Sequence, residues 1–153
     1  MLIVAMLFTA QFTFAQSEYH FEHYSKKDGR GNDFSYNLAQ DSLGYIWTRY
    51  FGALTSYDGY NFKVYSYDAK DSLRSNLNLL LGPFHNDDDN NIWITQHKPP
   101  KVETLLKYDR KTDGFVKYKI GLKGAGLTCI QFEKHGSYAW IGSYDSALFG
   151  YDF

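Results

Sequence analysis

The three tryptophans of this chain stand at positions 47, 93 and 140, spaced 46 and then 47 residues apart. Each closes a related stretch: DSLGYIW ends on Trp47, DDDNNIW on Trp93 and KHGSYAW on Trp140. After each comes a variable stretch, a leucine and a Tyr-Asp pair, namely Tyr57-Asp58, Tyr108-Asp109 and Tyr151-Asp152. The first two copies then add Phe-x-x-Tyr, at Phe62 to Tyr65 and Phe115 to Tyr118. A fixed period of roughly 40 to 50 residues signals units that stack or ring around an axis, because no single unit buries its own apolar faces.

Within each unit the apolar pattern has period two. Phe34, Tyr36 and Leu38 alternate with polar or small neighbours, and Thr128, Ile130 and Phe132 lie opposite Leu127, Cys129 and Gln131. The polar runs DSLG, NDDDNN and EKHGS separate these segments from the tryptophan strands and supply hairpin turn chemistry. Four short antiparallel strands per unit predict an all-β fold, an incomplete β-propeller of four-stranded blades. The expected boundaries are a closing strand and lead-in over 16–33, blades over 34–76 and 77–126, and a partial blade over 127–153. One tryptophan per unit is then a wedge filling the seam against the next blade. The alternative, three unrelated tryptophans in a β-sandwich, leaves the recurring Tyr-Asp and Phe-x-x-Tyr unexplained.

Phe-x-x-Tyr also occurs once ahead of any tryptophan unit, at Phe21 to Tyr24. A final strand followed by whole units is what a ring closed by strand exchange requires.

Composition agrees with this architecture. Aromatic residues make up 19%, glycines number thirteen and prolines three, which favours pleated surfaces joined by tight turns. Sixteen basic against seventeen acidic residues give no cationic face for phosphates, so nucleic acid is excluded as a partner. Cys129 is the single cysteine, so no intramolecular disulfide forms, and a buried thiol is expected. The uncharged opening MLIVAMLFTAQFTFA has the length of a secretory apolar region and ends in the small-residue pattern of a cleavage site. We read it as a signal peptide over 1–15, cleaved after Ala15. The first lysine or arginine is Lys26, so the expected basic start lies upstream of Met1.

The pattern Asp-x-x-Gly-x-Ile-Trp, then Leu-x-x-Tyr-Asp-Gly and Phe-x-x-Tyr, resembles the two-component regulator propeller repeat. That repeat builds the periplasmic sensor region of hybrid histidine kinases of Bacteroidetes. QDSLGYIW, YDGYNFKVY and FEHYSKKDGRGND carry the likeness, which covers nearly all residues after the signal peptide. Asp28-Gly29-Arg30 departs from the usual Asp-Gly-Leu, and only Ile141-Gly142-Ser143 approaches the usual Ile-Gly-Thr after tryptophan. The second copy carries the insert HKPPKVET.

The resemblance implies a periplasmic sensor joined, in the full-length protein, to further blades, a membrane helix and a kinase core, with phosphorelay signal transduction. It implies no catalysis by this segment. The chain reads as a fragment of a longer frame, with a sheet edge and an apolar face left open. Self-association or partial disorder is therefore expected in isolation.

No catalytic or metal constellation stands out. His20 and His23, three apart on an expected strand, point to opposite faces. A calcium loop from Asp87 wants glycine sixth and glutamate twelfth, where Ile92 and Lys98 stand, so this run reads as a solvated turn. GLKGAG, Gly121 to Gly126, has the wrong spacing for a dinucleotide fingerprint. No metal and no cofactor are expected.

Binding remains. In a propeller the loops between strands two and three gather at one end of the central channel. Those positions are assigned to Arg49, Tyr50 and Phe51, to Gln96, His97 and Lys98, and to Tyr144 and Asp145. Aromatic faces beside hydrogen-bonding groups suit a sugar. Expected partners are an oligosaccharide, the remaining blades and kinase regions, and a second full-length copy. Two other readings stay open, a free-standing secreted lectin or interaction scaffold and a propeller lyase.

Overall fold

The computed structural model describes residues 19–50, 52–66, 81–98, 102–123, 127–134, 137–143 and 148–153. The expected signal peptide lies outside them. Eleven strands among these residues form three antiparallel sheets in chain order. The first holds β1 (Asn37–Gln40), β2 (Ile46–Tyr50), β3 (Ala53–Tyr57) and β4 (Phe62–Ser66). The second holds β5 (Leu81–Asn86), β6 (Ile92–Lys98), β7 (Val102–Asp109) and β8 (Gly114–Lys123). The third holds β9 (Leu127–Phe132), β10 (Tyr138–Ser143) and β11 (Leu148–Asp152). The first strands β1, β5 and β9 lie against one another in order. The fold is thus an incomplete β-propeller of antiparallel blades, two with four strands and one with three among the described residues.

The turn chemistry explains why the second copy tolerates its altered turn. The Asp41 carbonyl accepts from the Gly44 amide at 3.0 Å, and the Asp87 carbonyl from the Asn90 amide at 2.9 Å. Gly44 has φ 85° and Asn90 φ 55°. Glycine takes that left-handed conformation freely, and asparagine is one of the few side chains that visits it at small cost.

Two apolar seams join the sheets. In the first, Trp47, Leu54 and Tyr65 meet Phe84, Ile92, Ile94, Leu106 and Phe115. Trp47 is fully buried, with ring centroids of Tyr108, Tyr65 and Phe115 at 4.6, 5.4 and 6.4 Å. In the second, Trp93, Leu105 and Ile120 meet Leu127, Ile130, Phe132, Ala139 and Ile141. Each interlocked aromatic pair adds about 0.5–1.5 kcal/mol beyond area burial. Trp140 differs. Its neighbours Ala139 and Ile141 point into the second seam and are fully buried, so Trp140 faces the other way and is 41% exposed.

Three local expectations need correction. Cys129 is exposed, because it lies on the Trp140 side of the third sheet. Leu127, expected beside it, is buried, since the β9–β10 ladder shifts register between Gly142 and Ser143 and turns Leu127 into the seam. Phe21 to Tyr24, expected as a strand, joins no ladder. Its Tyr24 ring packs instead on Tyr57 and Phe62 of the first sheet, a side-chain contact made without a ladder.

The lead-in instead straps across the first sheet. A capping box at Ser25 and Asp28 starts a single 3-10 turn, Lys26–Asp28, and the Lys26 amide donates to Asp33 Oδ1 at 2.6 Å. The Thr55 hydroxyl donates to the Arg30 carbonyl at 2.9 Å, tying the strap down. Gly31 passes so close that a Cβ there would lie 2.5 Å from the Tyr50 hydroxyl, and its φ of 87° suits glycine alone.

Candidate functional site

The antiparallel meander sets the turns after β1 and β3 at one end of a sheet and the β2–β3 connection at the other. The second end was assigned to a ligand, and its residues divide in an unexpected way. Arg49 and Tyr50 are the last residues of β2, paired with Leu54 and Ala53, and project to opposite faces. Tyr50 turns to the strap, where burial pushes its hydroxyl pKa up against an opposing hydrogen bond with Thr55. Gln96, His97 and Lys98 are strand residues rather than loop residues, paired with Thr104, Glu103 and Val102. Gln96 is 2% exposed and so presents no surface to a ligand. Phe51, Tyr144 and Asp145 lie outside the described residues.

Arg49 stands beside an aromatic ring. Its guanidinium lies 5.3 Å from the centre of the Tyr36 ring, and its carbonyl accepts from the Tyr36 amide at 2.9 Å. Burial lowers the Arg49 pKa, and the nearby Tyr36 opposes that shift. Tyr36 is 50% exposed and stands 6.1 Å, ring to ring, from Phe34, which is 68% exposed. Two open aromatic rings beside a guanidinium can stack against an apolar ring face while donating to its hydroxyls. Phe34 and Tyr36 were expected, with Leu38, on the alternating strand ahead of Trp47, but β1 begins at Asn37 and both precede it. Their signal was present as two aromatics next to a polar loop. Beside them Asn37 Oδ1 accepts from the Phe84 amide, so this end of the first sheet is fastened to the second.

The opposite end holds an unforeseen arrangement of carboxylates. Asp41 Oδ1 accepts from the Leu43 and Tyr45 amides at 2.9 and 3.0 Å, while its Oδ2 accepts from Trp47 Nε1 and from Arg110 of the second sheet, both at 2.9 Å. Burial alone would raise the Asp41 carboxyl, but those donors outweigh it and hold the group below its ordinary value. Asp87 repeats the device: its Oδ2 accepts from Trp93 Nε1 at 2.9 Å and its Oδ1 from the Asn91 amide at 2.8 Å. Its carboxyl is likewise lowered against burial, with Lys107 3.6 Å away. The turn read as solvated is therefore solvated only beyond its first residue, since Asp87 is 9% exposed. In the third sheet Glu133 Oε1 takes the same part, accepting from Trp140 Nε1 at 2.8 Å. The aspartate six residues before Trp47 and Trp93 was the available signal.

A cleft of about 320 Å³ opens at this end, lined among others by Asn90, Asn91, Lys107, Tyr108, Arg110 and Tyr118. Two of the three cations that line it are already engaged, Arg110 by Asp41 and Lys107 by Asp87, and Lys111 is the third. Nearby, Asp113 Oδ1 accepts from the Tyr65 and Tyr108 hydroxyls at 2.7 and 2.9 Å, and Lys63 pairs with Oδ2. Burial, then Tyr108 and Asp113, drives the Tyr65 hydroxyl pKa far up, so it remains a donor. These groups latch the first seam. Among the described residues no three His, Cys, Asp or Glu side chains converge to hold a metal ion, and no helix is long and apolar enough to cross a membrane.

No known family profile matches the chain, and no curated protein matches it. Its fold is similar to a solved structure, the extracellular domain of the hybrid two-component system protein BT3049 from B. thetaiotaomicron, with a TM-score of 0.68 at 20% identity. That similarity covers 86% of this chain and 18% of the other, so the chain spans less than a fifth of the length of the structure it matches.

Proposed function

We propose that this chain is part of the ligand-sensing propeller of a periplasmic sensor in a hybrid two-component system, and that its ligand is a carbohydrate taken up at Phe34, Tyr36 and Arg49. One observation carries the sensor reading: the fold follows that of a hybrid two-component extracellular domain over 86% of the chain. The repeat motifs that resemble sensor propellers point the same way. The carbohydrate reading rests on the exposed Phe34 and Tyr36 rings beside the Arg49 guanidinium. On this reading the chain binds and does not catalyse. It is exported by its N-terminal segment, and the full-length protein is anchored in the inner membrane.

Signalling then requires a ligand that prefers one arrangement of the sheets. Arg49 is suited to that role, because its cross-strand neighbour Asn37 holds the second sheet through Phe84.

Calorimetric titration with neutral and acidic oligosaccharides tests the ligand. Tyr36→Ala and Arg49→Ala are each expected to weaken binding about tenfold or more, the loss of roughly 1.4 kcal/mol. Binding unaffected by both substitutions would refute the site. Coding DNA that continues past codon 153 into a membrane span and a kinase core tests the sensor half, and a stop codon shortly after further blades would refute it.

A further inference from the structure

We propose that the glycan taken up at this end of the sheets is anionic, its carboxylate or sulfate held between Arg49 of the first sheet and the lysines at the tip of the second, Lys98, Lys119 and Lys123. The inference rests on the carbohydrate reading of Phe34, Tyr36 and Arg49, and it names the class of sugar.

The two ends of the first two sheets differ in charge. At the end with the turns after β1, β3, β5 and β7 stand Asp41, Asp58, the aspartates at 87–89, Asp109 and Asp113, against Lys63, Lys107, Arg110 and Lys111. The other end, where β2 meets β3 and β6 meets β7, carries Arg49, Lys98, Lys119 and Lys123 against Glu103 among the described residues. A surface that gathers charge of one sign draws ligands of the other.

The ladders bring these cations to one seam. Across the second sheet Ile94, Leu106 and Lys117 form one row, Gln96, Thr104 and Lys119 the next but one, and Lys98, Val102 and Lys123 the outermost, past a register shift. Alternate rows belong to the same side of a sheet, and Ile94 and Leu106 line the first seam, so all three rows belong to the side that meets the first sheet. Arg49 comes from the opposite wall. It lies two residues beyond Trp47 and pairs with Leu54, and both of these fill the same seam.

The levels also fit. Asn37, the partner of Arg49, accepts from the Phe84 amide, and Phe84 pairs with Ile94. Arg49 therefore stands level with the Ile94 row, and the rows of Lys119 and Lys98 lie about 7 and 13 Å beyond it, at roughly 3.3 Å per residue. β2 ends at Tyr50, three residues past Trp47, while β6 runs to Lys98, five past Trp93, so the second sheet overhangs the first. Under the overhang the seam turns polar, because Gln96 and Thr104 follow Ile94 and Leu106 there and are just as buried. A sugar against Tyr36 thus has a cationic wall beside it. Burial disfavours the charge on Arg49, and an anion next to it offsets that cost. The planar guanidinium suits a carboxylate or sulfate, which it can meet through two parallel hydrogen bonds.

Calorimetric titration of the chain with matched pairs reads the preference: tetragalacturonate with its methyl ester, and a sulfated galactose tetrasaccharide with its desulfated form. At least one acidic member is expected to bind about tenfold or more tightly than its neutral counterpart, and to lose that margin at about 0.5 M salt, where charges are screened within a few ångströms. Which acidic member binds separates carboxylate from sulfate. Lys98→Gln with Lys119→Gln should cut the margin about threefold or more, whereas Tyr36→Ala should weaken both members of a pair together. Equal binding of acidic and neutral members, or a margin untouched by the lysine substitutions, would overturn the anionic ligand and leave the sugar site standing. Binding of no member, or binding unchanged by Tyr36→Ala, would overturn both.

Discussion

Trp47 Nε1 donates to Asp41 Oδ2 at 2.9 Å, so the residue that opens the first hairpin turn also holds the indole that fills the first seam. The same carboxylate orders the turn through the Leu43 and Tyr45 amides and reaches Arg110 across the seam. Turn, wedge and inter-sheet contact thereby converge on one side chain.

Asp41→Ala should cost about 2–3 kcal/mol, because it leaves a buried indole N–H and two turn amides without their acceptor. Asp89→Ala, in the exposed part of the matching turn, should stay within about 0.5 kcal/mol. Urea unfolding followed by tryptophan fluorescence measures both. Equal effects would mean that the carboxylate serves only the turn.

The tryptophans should not be equivalent. Trp47→Ala empties a fully buried site and is expected to cost about 3–5 kcal/mol, whereas Trp140→Ala in dilute, monomeric protein should cost about 1 kcal/mol or less. Thermal unfolding of the two variants at low concentration decides it.

His85 makes stability depend on pH. Burial pushes its pKa from 6.5 down to about 4, against an opposing hydrogen bond with the Ile130 backbone, and its Nε2 is buried without a partner among the described residues. Between these values the unfolded chain binds the proton and the folded chain does not. Stability is therefore full above about pH 6.5 and falls as pH drops toward 4, by up to about 3 kcal/mol. His85→Asn should flatten that slope. Below it, the lowered Asp41, Asp87 and Asp113 carboxyls give a second loss as pH falls through their own depressed pKa values.

At the first seam's outer latch, the tyrosine hydroxyls should matter more than the ion pair. Asp113→Ala is expected to cost about 1–2 kcal/mol through Tyr65 and Tyr108. Lys63→Ala should cost under about 1 kcal/mol, because both partners of that pair are well exposed. A double-mutant cycle of Asp113→Ala with Tyr65→Phe should show coupling of about 0.5 kcal/mol or more, and additivity would argue against the latch.

Tryptophan spacing, turn residues and the Tyr-Asp and Phe-x-x-Tyr pairs were enough to foresee antiparallel sheets with a seam-filling indole. Those signals are local: a turn is fixed by the few residues that compose it, and alternation by neighbours on one strand. Chain order could not tell that Asp87 is buried, that Gln96 ends inside a sheet, that Cys129 is exposed or that Phe21 to Tyr24 finds no ladder. Each of those depends on which sheet covers which face and where a register shifts, and such contacts join residues tens of positions apart. Asp41 meets Arg110, and Tyr24 meets Tyr57, only because the sheets and the strap pack as they do.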